Sequence, residues 1–512
     1  MRTRHLIALF LAATTLGTAS AWSQTTRPTE DASAAPTPTT LEANAPSGVT
    51  TSHTLQLPDA TLRYEATADV LPVADEAGET LGEIFYTYYR LLDDAGEPLP
   101  ADERPITYVF NGGPGAASVW LHLGTAGPRV ITMPPDGMPA HPPYRLSDNP
   151  DTWLDQTDLV FIDPVGTGFS RPATPDLQAE FSGVEQDVEA VGHFIRLHLT
   201  RAGRWGSATY LAGESYGTTR AALLAEHLHD AHGIDLNGVM LISVVLNFQT
   251  LSPGGFNDLP YVLFLPTYTA TAHYHGRLAE DLQATPLPEV LAAAERFAIQ
   301  DYLPALAAGS SADAATRQRV AQQLAMLTGL EADYILESNL RVAPSVFRQR
   351  LLRDTDEVVG RFDSRVRGVD LEPARDDGWF DPSYNGVIGL YTSTYNQYVA
   401  SELDYRTDTE YRVLANVRPW DYGDEPYVNA ADDLRRAMVK VPGLRVLVAS
   451  GTYDMATPYF AADYTVNHMN LPPRIMERFV QTYYPGGHMM YHVTEARKQL
   501  DEDVAAFVAP AE

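Results

Sequence analysis

One serine in this chain stands where a side chain can be made into a nucleophile. It lies in Gly213-Glu214-Ser215-Tyr216-Gly217. A strand-like run, Thr209-Tyr210-Leu211-Ala212, precedes it, and a helical pattern with Ala221, Leu224, Ala225 and Leu228 on one face follows. Flanking glycines let two backbones approach closely. The serine then sits on a sharp strand-to-helix turn, its hydroxyl exposed beside a helix N-terminus. The same five residues also suit a turn that only packs a helix on a sheet.

A serine hydroxyl needs a base to take its proton, and the base needs an acid to fix its tautomer and steady its charge. Beyond residue 400 the histidines are His468, His488 and His492. His488 falls in Pro485-Gly486-Gly487-His488-Met489, a loop directly after a strand, whereas His468 and His492 have the helical context of surface residues. The acid belongs at the end of the preceding strand. Leu444–Ser450 is that strand, and Gly451-Thr452-Tyr453-Asp454 follows it, which favours Asp454 over Asp463. An oxyanion needs backbone N–H donors: one from Tyr216, after the serine, and one from a glycine loop after an early strand. Asn111-Gly112-Gly113-Pro114-Gly115 fits. As a phosphate cradle the loop lacks the following Lys-Ser/Thr.

These residues need a scaffold. Apolar runs at Ile106–Phe110, Leu159–Ile162, Thr209–Ala212, Val239–Ser243, Leu444–Ser450 and Arg478–Tyr484 alternate with helical segments. That rhythm predicts an α/β fold with a mostly parallel, doubly wound sheet, with chemistry beyond the carboxyl ends of its strands. Before it, Leu55–Leu57, Leu62–Tyr64 and Glu83–Tyr89 read as antiparallel edge strands. Between residues 251 and 404 the strand rhythm stops. Helices are expected near Pro288–Phe297, near Val320–Leu327 with Ser310 or Ser311 as cap, and over Glu331–Ser338. This is a helical insertion above the sheet, a lid over a pocket or a second structural domain. The core is then 53–250 and 405–512. His273 and His275 open the insertion, and the aromatics of Leu259–Leu265 suit its packing.

The chain has 512 residues, 36 Lys and Arg against 66 Asp and Glu, and a formal charge of −30. An acidic surface excludes nucleic acid and offers nothing to anionic lipid. There are no cysteines, so thiol catalysis, disulfides and thiolate metal sites are excluded. His227, His229 and His232 lack a supporting ligand cluster, and no metal or other cofactor is expected. Arg2 and Arg4, the apolar run Leu6–Ala13 and Ala19-Ser20-Ala21 read as a cleaved leader, residues 1–21. The Thr/Ala/Pro/Ser-rich residues 22–52 read as a disordered linker. The chain is therefore expected to be exported, periplasmic or extracellular, with no membrane attachment after cleavage.

Taken in order, NGGPG at 111–115, DNPDTWLDQTDLVFIDPVGTGFSR at 148–171, GESYG at 213–217, SGTYD at 450–454 and GGHM at 486–489 resemble the serine carboxypeptidase family, peptidase family S10, of the α/β-hydrolase fold. The resemblance implies Ser215 as nucleophile, Asp454 and His488 as its partners, and the Gly113 and Tyr216 N–H groups as the oxyanion hole. It implies peptide substrates with a free C-terminal carboxylate, from which single residues are released. Asn111, Gly112 and Glu214 would hold that carboxylate. The chain departs from the family at a second glutamate, where Thr125 stands, and at a loop cysteine, where Ala116-Ala117-Ser118 stands. Arg129 is a candidate replacement, since a guanidinium suits a carboxylate. The same triad serves an esterase or acyltransferase, and a fold of this kind can also be an inactive binding protein.

Overall fold

The computed structural model describes residues 48–75, 77–372 and 380–509. The expected leader and nearly all of the expected linker lie outside them. Three antiparallel strands open the described chain: β1 (Val49–Gln56), β2 (Thr61–Ala74) and β3 (Thr80–Leu92). Val49–Ser52, placed in the linker on composition, pair with Ala68–Glu65. Burial alternates along β1, so every second side chain leans on the sheet.

Six further strands follow: β4 (Ile106–Phe110), β5 (Asp158–Ile162), β6 (Thr209–Ser215), β7 (Gly238–Val244), β8 (Arg445–Gly451) and β9 (Phe479–Tyr484). The sheet runs β1-β2-β3-β5-β4-β6-β7-β8-β9, and Arg171–Pro172 adds a short tenth strand beside β3. β3 meets β5 antiparallel, and every pairing from β5 to β9 is parallel. The central strands are buried on both faces, and their side chains sort by the two-residue period. Phe161, Met240, Ile242, Leu447 and Ala449 join one core; Val160, Ile162, Leu241, Val446 and Val448 join the other. Helices Val184–Arg201, Tyr216–His232 and Ala431–Lys440 cover the second core. Helices Pro382–Ser401 and Thr494–Val508 cover the first. This is the expected α/β fold, a mostly parallel, doubly wound sheet.

The insertion is helical and has its own core, with Val262, Phe264, Tyr268, Val290, Val320, Leu324, Phe347 and Leu351 packed together. Its last part departs from expectation. The helix Pro382–Ser401 belongs to the sheet, because Val387, Leu390, Tyr391, Tyr395 and Tyr398 recur at helical spacing and bury in the sheet's first core. The separately packed part therefore ends well before residue 404. A hairpin, Glu357–Val359 with Arg367–Val369, lies between the two. The helix Ala314–Thr328 is capped by Asp313, whose carboxylate accepts the Thr316 N–H at 2.7 Å, in place of Ser310 or Ser311. Among the described residues no helix is long and apolar enough to cross a membrane.

Glycine permits the contact that joins sheet to helix. A Cβ on Gly213 would fall 2.1 Å from the Gly217 carbonyl oxygen. Gly213→Ala must push β6 away from the helix that follows it. The expected loss is about 1–3 kcal/mol of stability, an overpacking cost, read as a lowered urea midpoint.

Candidate active site

Ser215 ends β6 and opens the helix Tyr216–His232 with φ 61° and ψ −129°. A non-glycine residue there is strained by about 1–3 kcal/mol and persists only where its surroundings hold it. They do so from two sides. The Thr218 hydroxyl donates to the Ser215 carbonyl at 2.7 Å, and Thr219 donates to the Val245 carbonyl at 2.6 Å. Ser215 itself is part-exposed, and its hydroxyl is bonded to no other described residue.

The proposed acid and base meet in the structure. His488 Nδ1 lies 2.7 Å from Asp454 Oδ2. Asp454 is wholly buried; it also accepts the Ala456 and Thr457 N–H groups at 2.7 and 3.0 Å and the Thr457 hydroxyl at 2.7 Å. With Nδ1 on the carboxylate, Nε2 is the nitrogen available to take a proton. Burial pushes the His488 pKa down, and the adjoining Asp454 carboxylate more than reverses this, leaving it above its ordinary value. The histidine is tied to the serine's end of the sheet through β7. The Ser243 hydroxyl donates to the His488 carbonyl at 2.5 Å, and the next residue, Val244, pairs with Ser215. Gly451 and Gly487 meet at backbone contact, a Cβ on Gly451 falling 2.0 Å from the Gly487 oxygen.

The glycine loop lies on the elbow. A Cβ on Gly112 would sit 2.4 Å from the Tyr216 nitrogen and 2.6 Å from that of Gly217. First-turn N–H groups have no partner within their helix, and the Gly113 N–H donates to no described residue. These amides can receive an oxyanion. The loop is held by Arg220 of the elbow helix, which donates to the Asn111 carbonyl at 2.6 Å and pairs with Asp187 at 2.7 Å, both side chains buried.

Glu214 is buried against the same centre. Tyr491 donates to its Oε2 at 2.6 Å. Burial, opposed chiefly by His488, raises its pKa to about 7. Tyr491 is the residue that sequence reasoning missed. It lies 277 positions from Glu214, and only its place three residues after His488 could have drawn notice. Thr125 is buried with its hydroxyl unpartnered. Arg129 does not replace the missing acid. Its guanidinium is engaged by Asp148 and Glu402, so its charge is already spoken for.

The remaining histidines divide. His468 is exposed, as expected. His492 is not a surface residue: it is buried, 2.8 Å from the Tyr391 hydroxyl, and burial lowers its pKa to about 3. Asp463 bonds Gln481 and Tyr483 and has no hydrogen bond to His488. His229 pairs with Asp235, and His227 contacts His232 edge-on at 5.3 Å. Among the described residues no group of three or more His, Asp or Glu is arranged to hold a metal.

Arg220 is the removable part of this scaffold. Arg220→Met leaves Asp187 buried without its cation, and breaking a buried pair costs about 3–5 kcal/mol. The expected outcome is that much lost stability by chemical denaturation, with the Asn111 loop released from the elbow helix.

The serine carboxypeptidase family model matches residues 68–281. That span includes the glycine loop and the elbow and ends before Asp454 and His488. The chain is 31% identical over 143 residues to the pheromone-processing carboxypeptidase KEX1 of Yarrowia lipolytica, covering 27% of this chain and 21% of that protein. It is 27% identical over 198 residues to the serine carboxypeptidase ctsa-3.1 of Caenorhabditis elegans, covering 38% and 31%. The chain thus spans about a fifth to a third of the length of these relatives. A solved proline iminopeptidase of Mycobacterium smegmatis aligns with 90% of this chain and 97% of its own, at 16% identity and a TM-score of 0.33. Over residues 68–281, the stretch that holds the glycine loop and the serine elbow, the chain is similar to the serine carboxypeptidase family.

Proposed function

We propose that this chain is a serine-type carboxypeptidase that releases C-terminal residues from peptides. The observation that carries the reading is the buried Asp454–His488 pair, 2.7 Å apart, at the same end of the sheet as the strained Ser215 turn. The carboxypeptidase names of the relatives support it.

His488 Nε2 takes the Ser215 proton as the oxygen attacks the carbonyl carbon of the last peptide bond. Negative charge moves to the carbonyl oxygen, where the Tyr216 and Gly113 N–H groups receive it. Asp454 steadies the imidazolium, which then protonates the departing amine. Water enters, gives a proton to the same nitrogen and attacks the acyl-enzyme, and the proton returns to Ser215 as the acid product leaves.

The free C-terminal carboxylate is recognised by Asn111, Gly112 and Glu214. Two carboxylates cannot share that space, so Glu214 acts in its protonated form as a donor. A pKa of about 7 keeps a substantial share of it protonated near neutrality, and ionisation above that pH repels the substrate. Export is part of the same reading, on the strength of the leader-like N-terminus.

Two measurements test this. Wild type is expected to cleave a blocked dipeptide with a free C-terminus and reject its amide. Equal cleavage of the amide, or turnover of esters alone, sinks the carboxypeptidase reading in favour of an esterase or acyltransferase on the same triad. The KM for the free acid should rise roughly tenfold per pH unit above about 7, as the protonated fraction falls. Glu214→Gln, which cannot ionise, should flatten that rise; an unchanged profile removes Glu214 from the carboxylate site.

A further inference from the structure

Three backbone groups that flank the proposed acid and base are satisfied from outside the sheet. The His488 N–H donates to the Phe362 carbonyl at 2.5 Å. The Met455 N–H donates to the Arg361 carbonyl at 3.0 Å, and the Tyr453 carbonyl accepts the Ser364 N–H at 3.1 Å. The Ser364 hydroxyl reaches the same Tyr453 oxygen at 3.0 Å. Residues 453 and 455 bracket Asp454. One short segment, Arg361–Ser364, therefore grips the acid loop on both sides and the base loop at the histidine itself.

That segment belongs to the tip of the hairpin Glu357–Val369, which is closed by the Gly360 N–H donating to the Val366 carbonyl at 2.8 Å. The tip is anchored at its far side too. The Phe362 N–H donates to the Ser383 hydroxyl at 3.0 Å and the Arg361 N–H to Asp381 at 3.0 Å, at the start of the helix Pro382–Ser401. The Ser364 hydroxyl also lies 2.6 Å from that of Thr271, in an insertion helix. The approach to the base loop is at contact: a Cβ on Gly487 would fall 2.2 Å from the Phe362 oxygen.

The Phe362 ring completes the seat. It stacks on the His488 imidazole with centroids 5.0 Å apart and planes 20° apart, and its edge meets Tyr384 at 6.0 Å. The imidazole is thus fixed at Nδ1 by Asp454, at its backbone by a carbonyl, and in its plane by an aromatic face.

We propose that the hairpin tip Arg361–Ser364 is the strap that holds the acid and base loops in register, and that Phe362 is a positioning residue for His488. The proposal rests on the reading of Asp454 and His488 as the acid and base. A base turned out of line with the serine transfers its proton slowly even when substrate is bound. Misplacement by about 1 Å can cost on the order of a hundredfold in rate. The strap therefore acts on kcat and on nucleophile reactivity, and leaves substrate affinity alone.

The test uses the full chain as wild type, Phe362→Ala, Phe362→Leu and Phe362→Tyr. The readouts are the rate of labelling by a fluorophosphonate, kcat and KM on a peptide, and the circular dichroism spectrum. Phe362→Ala is expected to label about 10- to 100-fold more slowly, with kcat falling in parallel and KM within about twofold. Phe362→Tyr, which keeps the flat ring, should return to the wild-type rate; Phe362→Leu, which keeps apolar bulk alone, should not. Should Phe362→Ala not fold, Ser364→Ala carries the same comparison with a smaller slowing of both rates. Wild-type labelling rates in folded Phe362→Leu and Ser364→Ala overturn the strap. Losses that track the folded fraction, with Tyr no better than Leu, overturn it as well. A wild type that does not label at all overturns Ser215 as nucleophile, and the strap with it.

Discussion

The site depends on backbone meeting backbone with nothing between. Ser215 can stand on its turn only because β6, the helix after it and the loop after β4 come together at Gly213, Gly217 and Gly112. Each of these positions would drive a Cβ into a neighbouring main chain. The same device recurs across the sheet, where Gly451 meets Gly487 and Gly487 meets the hairpin tip. Close approach carries the N–H groups of the elbow against the glycine loop, and it brings the loops of Asp454 and His488 within one hydrogen bond of each other.

Close approach also removes water, which makes charge the second constraint. Asp454, His488, Glu214, Arg220 and Asp187 are all buried. A buried charge is tolerated when it is paired and hydrogen-bonded. Asp454 accepts from two amides and a hydroxyl besides its histidine. Arg220 divides its donors between Asp187 and the carbonyl of Asn111, so one ion pair serves both stability and the shape of the glycine loop. Glu214 meets the cost differently: it is shifted towards its neutral form and given a phenol for company.

Much of this was legible in the residues. Every expected core strand from Ile106 to Tyr484 appears within a few residues of its place, because short apolar runs buried on both faces are strong signals. The elbow, the glycine loop and the loops that end in Asp454 and His488 were placed from local pattern and chain order. Four readings failed for one reason. Asp313 displaced the expected serine cap, Pro382–Ser401 joined the sheet, His492 went inside, and Arg129 was taken by Asp148 and Glu402. In each case a residue's local character was outweighed by what the chain brought beside it.

The strands, their order of appearance, and the candidate nucleophile, acid and base follow from period, glycine placement and residue type, all of which are local to the chain. Which residues become neighbours is set by the packing of the folded chain. That Tyr491 would hold Glu214, and that the hairpin at Phe362 would clamp the loops of Asp454 and His488, depends on contacts between segments far apart in the chain. Such contacts leave no periodic trace, because they arise from packing between elements and not from the pattern within any one of them.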